Sequence, residues 1–91
     1  MHYRICDSVR STHNRDGAIV LDIRHGQIFS LNSVGSLVFE FLRRNSRSEY
    51  EIVAHLGREF SISREVAESD VRDFLQLLLI HHLIDRLDDS P

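Results

Sequence analysis

Two glycine turns, Asp16-Gly17 and His25-Gly26, divide residues 9–31 into three strand-length pieces. Asp-Gly is a strong hairpin dipeptide, and His25-Gly26 is a weaker one that still supplies a glycine for positive φ. Between the turns Ile19, Leu21 and Ile23 alternate with Ala18, Val20 and Asp22, the period of a strand. Gln27–Leu31 reads as the next strand, with Phe29 and Leu31 on one face, and Val9–Asn14 as the one before. Pieces this short, joined this tightly, leave a three-stranded antiparallel meander as the expected start of the fold.

After residue 32 the period becomes helical. Val34, Leu37, Val38, Phe41 and Leu42 form one apolar stripe, which Asn32 or Ser33 can cap. The polar stretch 43–47 reads as a loop. Ser48 and Glu51 then fit a capping box, and Ile52, Val53 and Leu56 turn that helix inward until Gly57 or shortly after. Phe60, Ser61 and Ile62 link to a third helix, capped by Ser63 and running to about His81, with Glu65 in its first turn. The expected fold is α+β, a winged helix-turn-helix in which three strands precede three helices. At 91 residues, 42% hydrophobic and 27% charged, the chain suits one domain over 1–91, with an ordered core of about 9–85 and a loose tail Asp88-Asp89-Ser90-Pro91.

Composition removes several functions. All 11 basic residues are arginine, which excludes a Schiff-base or P-loop lysine. The single Cys6 cannot form an internal disulfide and reads as a small apolar residue rather than a nucleophile. No apolar stretch approaches the ~20 residues that span a bilayer, and Met1-His2-Tyr3-Arg4 lacks a signal-peptide core, so a cytoplasmic location is expected. Of six histidines, His2, His13, His25 and His55 are scattered, and His81 and His82 would point about 100° apart on a helix. No HExxH, paired CxxC, GxSxG or glycine-rich phosphate loop is present. The expectation is a protein without catalytic residues, metal or cofactor.

A winged helix suggests a DNA-binding regulator, but the charge is wrong for one. Residues 1–47 hold seven arginines against four acids, whereas residues 48–91 hold four against ten. The first half of the third helix, where bases and phosphates would be read, carries Glu65, Glu68, Asp70 and Asp73 against Arg64 and Arg72. Peptide binding suits the chain better. A meander has edge strands that can accept an added strand, and such an edge would also let two copies pair. The third helix is more apolar than one buried face needs. Ala67, Val71, Phe74, Leu75 and Leu78 make the core stripe, while Val66, Asp70, Asp73 and Leu77 form a second, mixed face.

Residues 18–35 (AIVLDIRHGQIFSLNSVG) resemble the LD-x-x-x-G-x-x-x-x-LN-x-x-G stretch of the PqqD-like proteins. Glu51, Ile52 and Leu56 resemble that family's second helix. Asp70-Val71-Arg72-Asp73-Phe74-Leu75, followed by Leu83-Ile84, resembles its third helix and the end of that helix. The resemblance implies a RiPP recognition element, a non-catalytic domain that binds the leader of a ribosomally made precursor peptide. It implies that the leader adds antiparallel to the third strand, at Gln27, Ile28, Phe29, Ser30 and Leu31. It also implies packing against the third helix, where Val66, Asp70, Asp73, Phe74 and Leu77 are the candidate contacts. The turn Ile23-Arg24-His25-Gly26 departs from the Tyr-Pro-Glu-Gly-like turn of the pyrroloquinoline-quinone members, whose peptide-chaperone role is the alternative. The context of Leu21-Asp22 and Leu31-Asn32 with Val34-Gly35 is closer to the stand-alone leader-binding proteins of lasso-peptide clusters, which serve a separate leader peptidase.

Overall fold

The computed structural model describes residues 1–14 and 16–87. The tail from Asp88 to Pro91 lies outside these residues. In chain order the elements are β1 (His2–Ile5), β2 (Val9–Asn14), β3 (Gly17–Asp22), β4 (Gln27–Leu31), α1 (Ser33–Arg44), β5 (Arg47–Ser48), α2 (Glu49–Phe60), α3 (Arg64–Ile80) and β6 (Ile84–Leu87). The expected meander is present: β2, β3 and β4 pair antiparallel in that order, with Thr12 opposite Ile19 and Val20 opposite Phe29. The three expected helices follow.

A second small sheet, in the order β5-β1-β6, is an addition to the sequence reading. His2 lies between Ser48 and Leu87, so this sheet ties the start of the chain to the α1–α2 connection and to the segment after α3. It extends the regular elements beyond residues 9 and 85 at both ends. Strands of two to four residues carry too little alternation to be read locally, and the two ends of the chain meet only in the fold.

Polar side chains fix the helix starts. The Asn32 side chain accepts the Gly35 N–H at 2.8 Å and caps α1. Ser48 and Glu51 form the expected capping box, both bonds at 3.1 Å. Ser63 accepts the Val66 N–H at 3.2 Å. Helix α2 runs through Gly57 and stops at Phe60, where Ser61 takes left-handed backbone (φ 53). Helix α3 stops at Ile80, and His82 at φ 60 turns the chain away, so the two histidines do not share a helix. His81 packs on Phe29 with ring centroids 5.0 Å apart, and His82 stacks on His25 at 5.9 Å.

The core gathers Val20, Phe39, Ile52, Leu56, Leu75, Leu78 and Leu83 between the meander and the helices. Each such side chain contributes roughly 1.5–3 kcal/mol of transfer free energy. On β3 the smaller set faces in: Ala18, Val20 and Asp22 are buried, while Ile19 and Leu21, and Ile23 just past the strand, stay exposed. The Asp22 carboxylate, 1% exposed, accepts the His25 Nδ1–H at 2.7 Å and the His25 backbone N–H at 3.3 Å. Burial works to raise its pKa, but these bonds and the Arg24 N–H hold it below the usual carboxylate range. This clasp closes the β3–β4 turn, where Gly26 supplies the left-handed residue (φ 63). One consequence is an apolar outer sheet face, with Leu21 directly opposite Ile28.

Candidate functional site

β4 is an edge strand: β3 pairs with one side of it, and no described strand pairs with the other. Its side chains alternate. Phe29 and Leu31 turn inward and pack on the core, whereas Ile28 points outward and is 71% exposed. Beside the end of β4 lies a cleft of about 500 Å³. Ser30, Leu31 and Asn32 form one wall, and Asp70, Val71, Asp73, Phe74 and Leu77 of α3 form the other. Val34, Gly35 and Val38 of α1, with Leu56 of α2, close the floor.

Two contacts flank this cleft, one made by Phe74 of α3 and one by His81 just past the end of that helix. At its lower end the Phe74 ring lies over Gly35, where an added Cβ would stand 3.2 Å from Cζ of the ring. At the other end His81 meets Phe29. Between them Leu77 is 49% exposed and lies over the cleft. Large half-exposed apolar side chains beside an unpaired backbone edge form a slot for an extended peptide. The edge offers main-chain hydrogen bonds, and the cleft offers apolar surface to alternate side chains.

The residues predicted from the sequence divide by position. Ser30, Leu31, Asp70, Asp73, Phe74 and Leu77 come together in the cleft. Gln27, Ile28 and Phe29 continue the same edge beyond it, and Val66 lies on the exposed stripe of α3 one turn before Asp70. The sequence reading missed the floor, formed by Val34, Gly35, Val38 and Leu56, and the wall residues Asn32 and Val71. The one local signal for it was a glycine in the first turn of α1, where helix propensity disfavours it.

Two histidines outside the cleft are engaged in packing. His13 bridges β2 to α1 through Ser36 Oγ at 3.0 Å and Glu40 at 3.2 Å, and His55 stacks on Phe41 at 4.0 Å. Burial, and after it the negative charge of Asp85, pushes the Cys6 thiol up to about 11, so it is protonated at neutral pH. Among the described residues no group of three or more His, Cys, Asp or Glu side chains is placed to hold a metal ion. No helix among them is long and apolar enough to cross a membrane.

The model of the PqqD family, coenzyme PQQ synthesis protein D, matches residues 17–84. The chain belongs to the PqqD family. Three solved structures share its fold. TbiB1 in complex with the TbiA(beta) leader peptide is 34% identical, with 94% of this chain and 99% of that one covered and a TM-score of 0.84. A lasso peptide synthetase B1 complexed with its leader peptide is 21% identical, covers 94% and 100%, and has a TM-score of 0.79. The PqqD part of Methylobacterium extorquens PqqCD, a stand-alone RiPP recognition element, is 18% identical, covers 93% and 89%, and has a TM-score of 0.75. Among curated proteins none matches the chain.

Proposed function

We propose that this PqqD-family domain binds the leader of a ribosomally synthesised precursor peptide, of lasso-peptide type, and presents it to a leader peptidase or other modifying enzyme. The observation that carries the reading is the unpaired β4 edge running into an apolar cleft walled by α3. The leader adds antiparallel to β4 at Gln27–Leu31, and its inward side chains meet Phe74 and Leu77. Strand addition raises the local concentration of the precursor at the enzyme, and the chemistry belongs to that enzyme. The 34% identity to TbiB1, which was solved with a leader peptide, supports this reading. The turn Ile23-Arg24-His25-Gly26 speaks against the pyrroloquinoline-quinone branch, and the acids of α3 speak against DNA.

The outer face of the meander adjoins the same edge, with Ile19, Leu21 and Ile28 exposed. A leader strand added to β4 continues that face, so an enzyme seated there touches the domain and the leader's outward side chains together. The working compartment in this reading is the cytoplasm, where precursor peptides are made. The same edge also permits two copies to pair, a state the leader would compete with.

Calorimetry of the purified protein with the leader encoded beside its gene tests the function. The reading expects one-to-one binding at micromolar affinity or tighter, and the absence of binding at about tens of micromolar contradicts it. A salt-sensitive shift of random duplex DNA would favour the DNA-binding alternative instead.

A further inference from the structure

Past α3 the chain returns to the β3–β4 hairpin through two histidines. His81 caps the helix, its N–H donating to the Leu77 carbonyl at 3.1 Å, and His82 takes left-handed backbone (φ 60). That reversal sends neighbouring rings to different partners. The His81 ring tilts against Phe29 of β4 with centroids 5.0 Å apart, and the His82 ring stacks on His25 of the turn at 5.9 Å and 29°. His25 is held in turn by its 2.7 Å bond to the buried Asp22 carboxylate. Glycine would adopt the left-handed backbone at position 82 without steric cost. A histidine there adds a ring contact to the hairpin that glycine could not make.

These contacts lie at one end of the cleft, and the Phe74–Gly35 contact lies at the other. Leu31 and Leu77, which line the cleft, fall between them along their elements. A strand added to β4 sits ~4.7–4.9 Å from it, so it fits only while the β4 edge and α3 keep a matching separation. Among the described strands β4 pairs with β3 alone, and few of its residues approach the backbone of α3, so that separation depends on side chains. None of His25, His81 and His82 lines the cleft. His25 and His82 are exposed and His81 is half-buried, so removing one of these rings takes little from the core.

We infer that His25, His81 and His82 are positioning residues for the leader. Their two ring contacts, anchored by Asp22, fix the end of α3 against the hairpin and hold the β4 edge and Leu77 at the spacing an inserted strand needs. An edge already in place binds an extended peptide without first being ordered, and this pre-organisation raises affinity. The inference rests on the leader-binding reading of the β4 edge and adds the residues that set the geometry of the slot.

The test is calorimetry of the leader encoded beside the gene with the parent protein and with His81→Asn, His82→Asn and His81→Phe, each checked by circular dichroism and thermal denaturation. Asparagine removes either ring and tolerates the left-handed backbone at position 82. The expected result is a loss of about threefold to tenfold in affinity for each Asn variant, the worth of one aromatic pair, with Tm lowered by less than about 10 °C. His81→Phe keeps a ring on Phe29 and should recover most of that loss. Parental affinity in both Asn variants overturns the inference and leaves peptide binding at β4 standing. So does an equal loss in His81→Phe and His81→Asn, which would tie the effect to the imidazole rather than to ring packing. Loss of native structure in both Asn variants would assign the contacts to the fold and likewise overturns it. No leader binding by the parent protein overturns the reading on which the inference rests.

Discussion

The ring of Phe74 covers the Cα of Gly35 so closely that a Cβ there would lie 3.2–3.4 Å from the ring and from the Asn32 side chain. This contact brings α3 down onto the start of α1 and forms the floor of the cleft. In Gly35→Ala the helix gains about 1 kcal/mol of propensity, set against roughly 1–3 kcal/mol of overpacking. The half-buried Phe74 ring gives way toward the cleft. The expected outcome is a small change in Tm with about a tenfold loss of leader affinity, read by thermal denaturation and calorimetry. Unchanged affinity would show that Phe74 does not gate the slot.

Leu77 tests the opposite wall without threatening the core, because half of its surface is already in water. Leu77→Asp places a third carboxylate among Asp70 and Asp73 and removes the apolar contact. Leader binding should fall by more than about tenfold with the circular-dichroism spectrum unchanged. Arg86→Ala, on the exposed part of β6 and outside the cleft, should bind like the parent protein. Equal loss in both variants would remove the cleft from the account. Phe29 is a weaker probe, since it packs on the core and on His81.

Much of the slot was legible in the sequence. The glycine turns and the period-2 residues between them delimit the meander, and the spacing of Val66, Asp70, Asp73 and Leu77 marks a helix face that one core does not need. What stayed hidden depends on contacts between distant residues. β1 and β6 pair residues about 80 positions apart, so neither strand has a local signature. Val34, Val38 and Leu56 read as ordinary core because only the approach of α3 leaves them at the bottom of an open cleft. The alternation on β3 gave two faces without saying which is buried. In the fold the face with the smaller side chains is buried, and the His25 clasp offsets the cost of burying Asp22 there.

That inversion leaves Leu21 and Ile28 opposite each other on the outer surface. Leu21→Glu and Ile28→Glu should leave leader affinity within about twofold, because both side chains point away from the cleft. They should also slow leader processing by the partner enzyme at least about tenfold, through loss of docking area at the sheet. Measuring binding and processing on the same variants separates the two surfaces. Processing at the parental rate would exclude the outer face as the enzyme's seat.

Cys6 gives a pH-dependent check on the absence of a nucleophile. Its thiol, pushed up to about 11 by burial and by Asp85, should react slowly with iodoacetamide at pH 7–8 and faster only as pH approaches that value. The sign for stability follows from the same shift. An unfolded thiol titrates near 8.5–9, so the folded state's advantage is complete below that range. It is lost progressively as pH rises toward about 11. Rapid alkylation at neutral pH would mean an activated thiolate and would reopen a catalytic role.

The central claim is that an added strand occupies the β4 edge against α3. Amide chemical-shift mapping of the 15N-labelled protein during titration with the leader encoded beside its gene tests it most directly. The account predicts the largest shifts at Gln27–Leu31 of β4 and at Asp70, Asp73, Phe74 and Leu77 of α3, with β2 nearly unmoved. Shifts centred on the other edge strand, β2, or none at saturating leader, would contradict it.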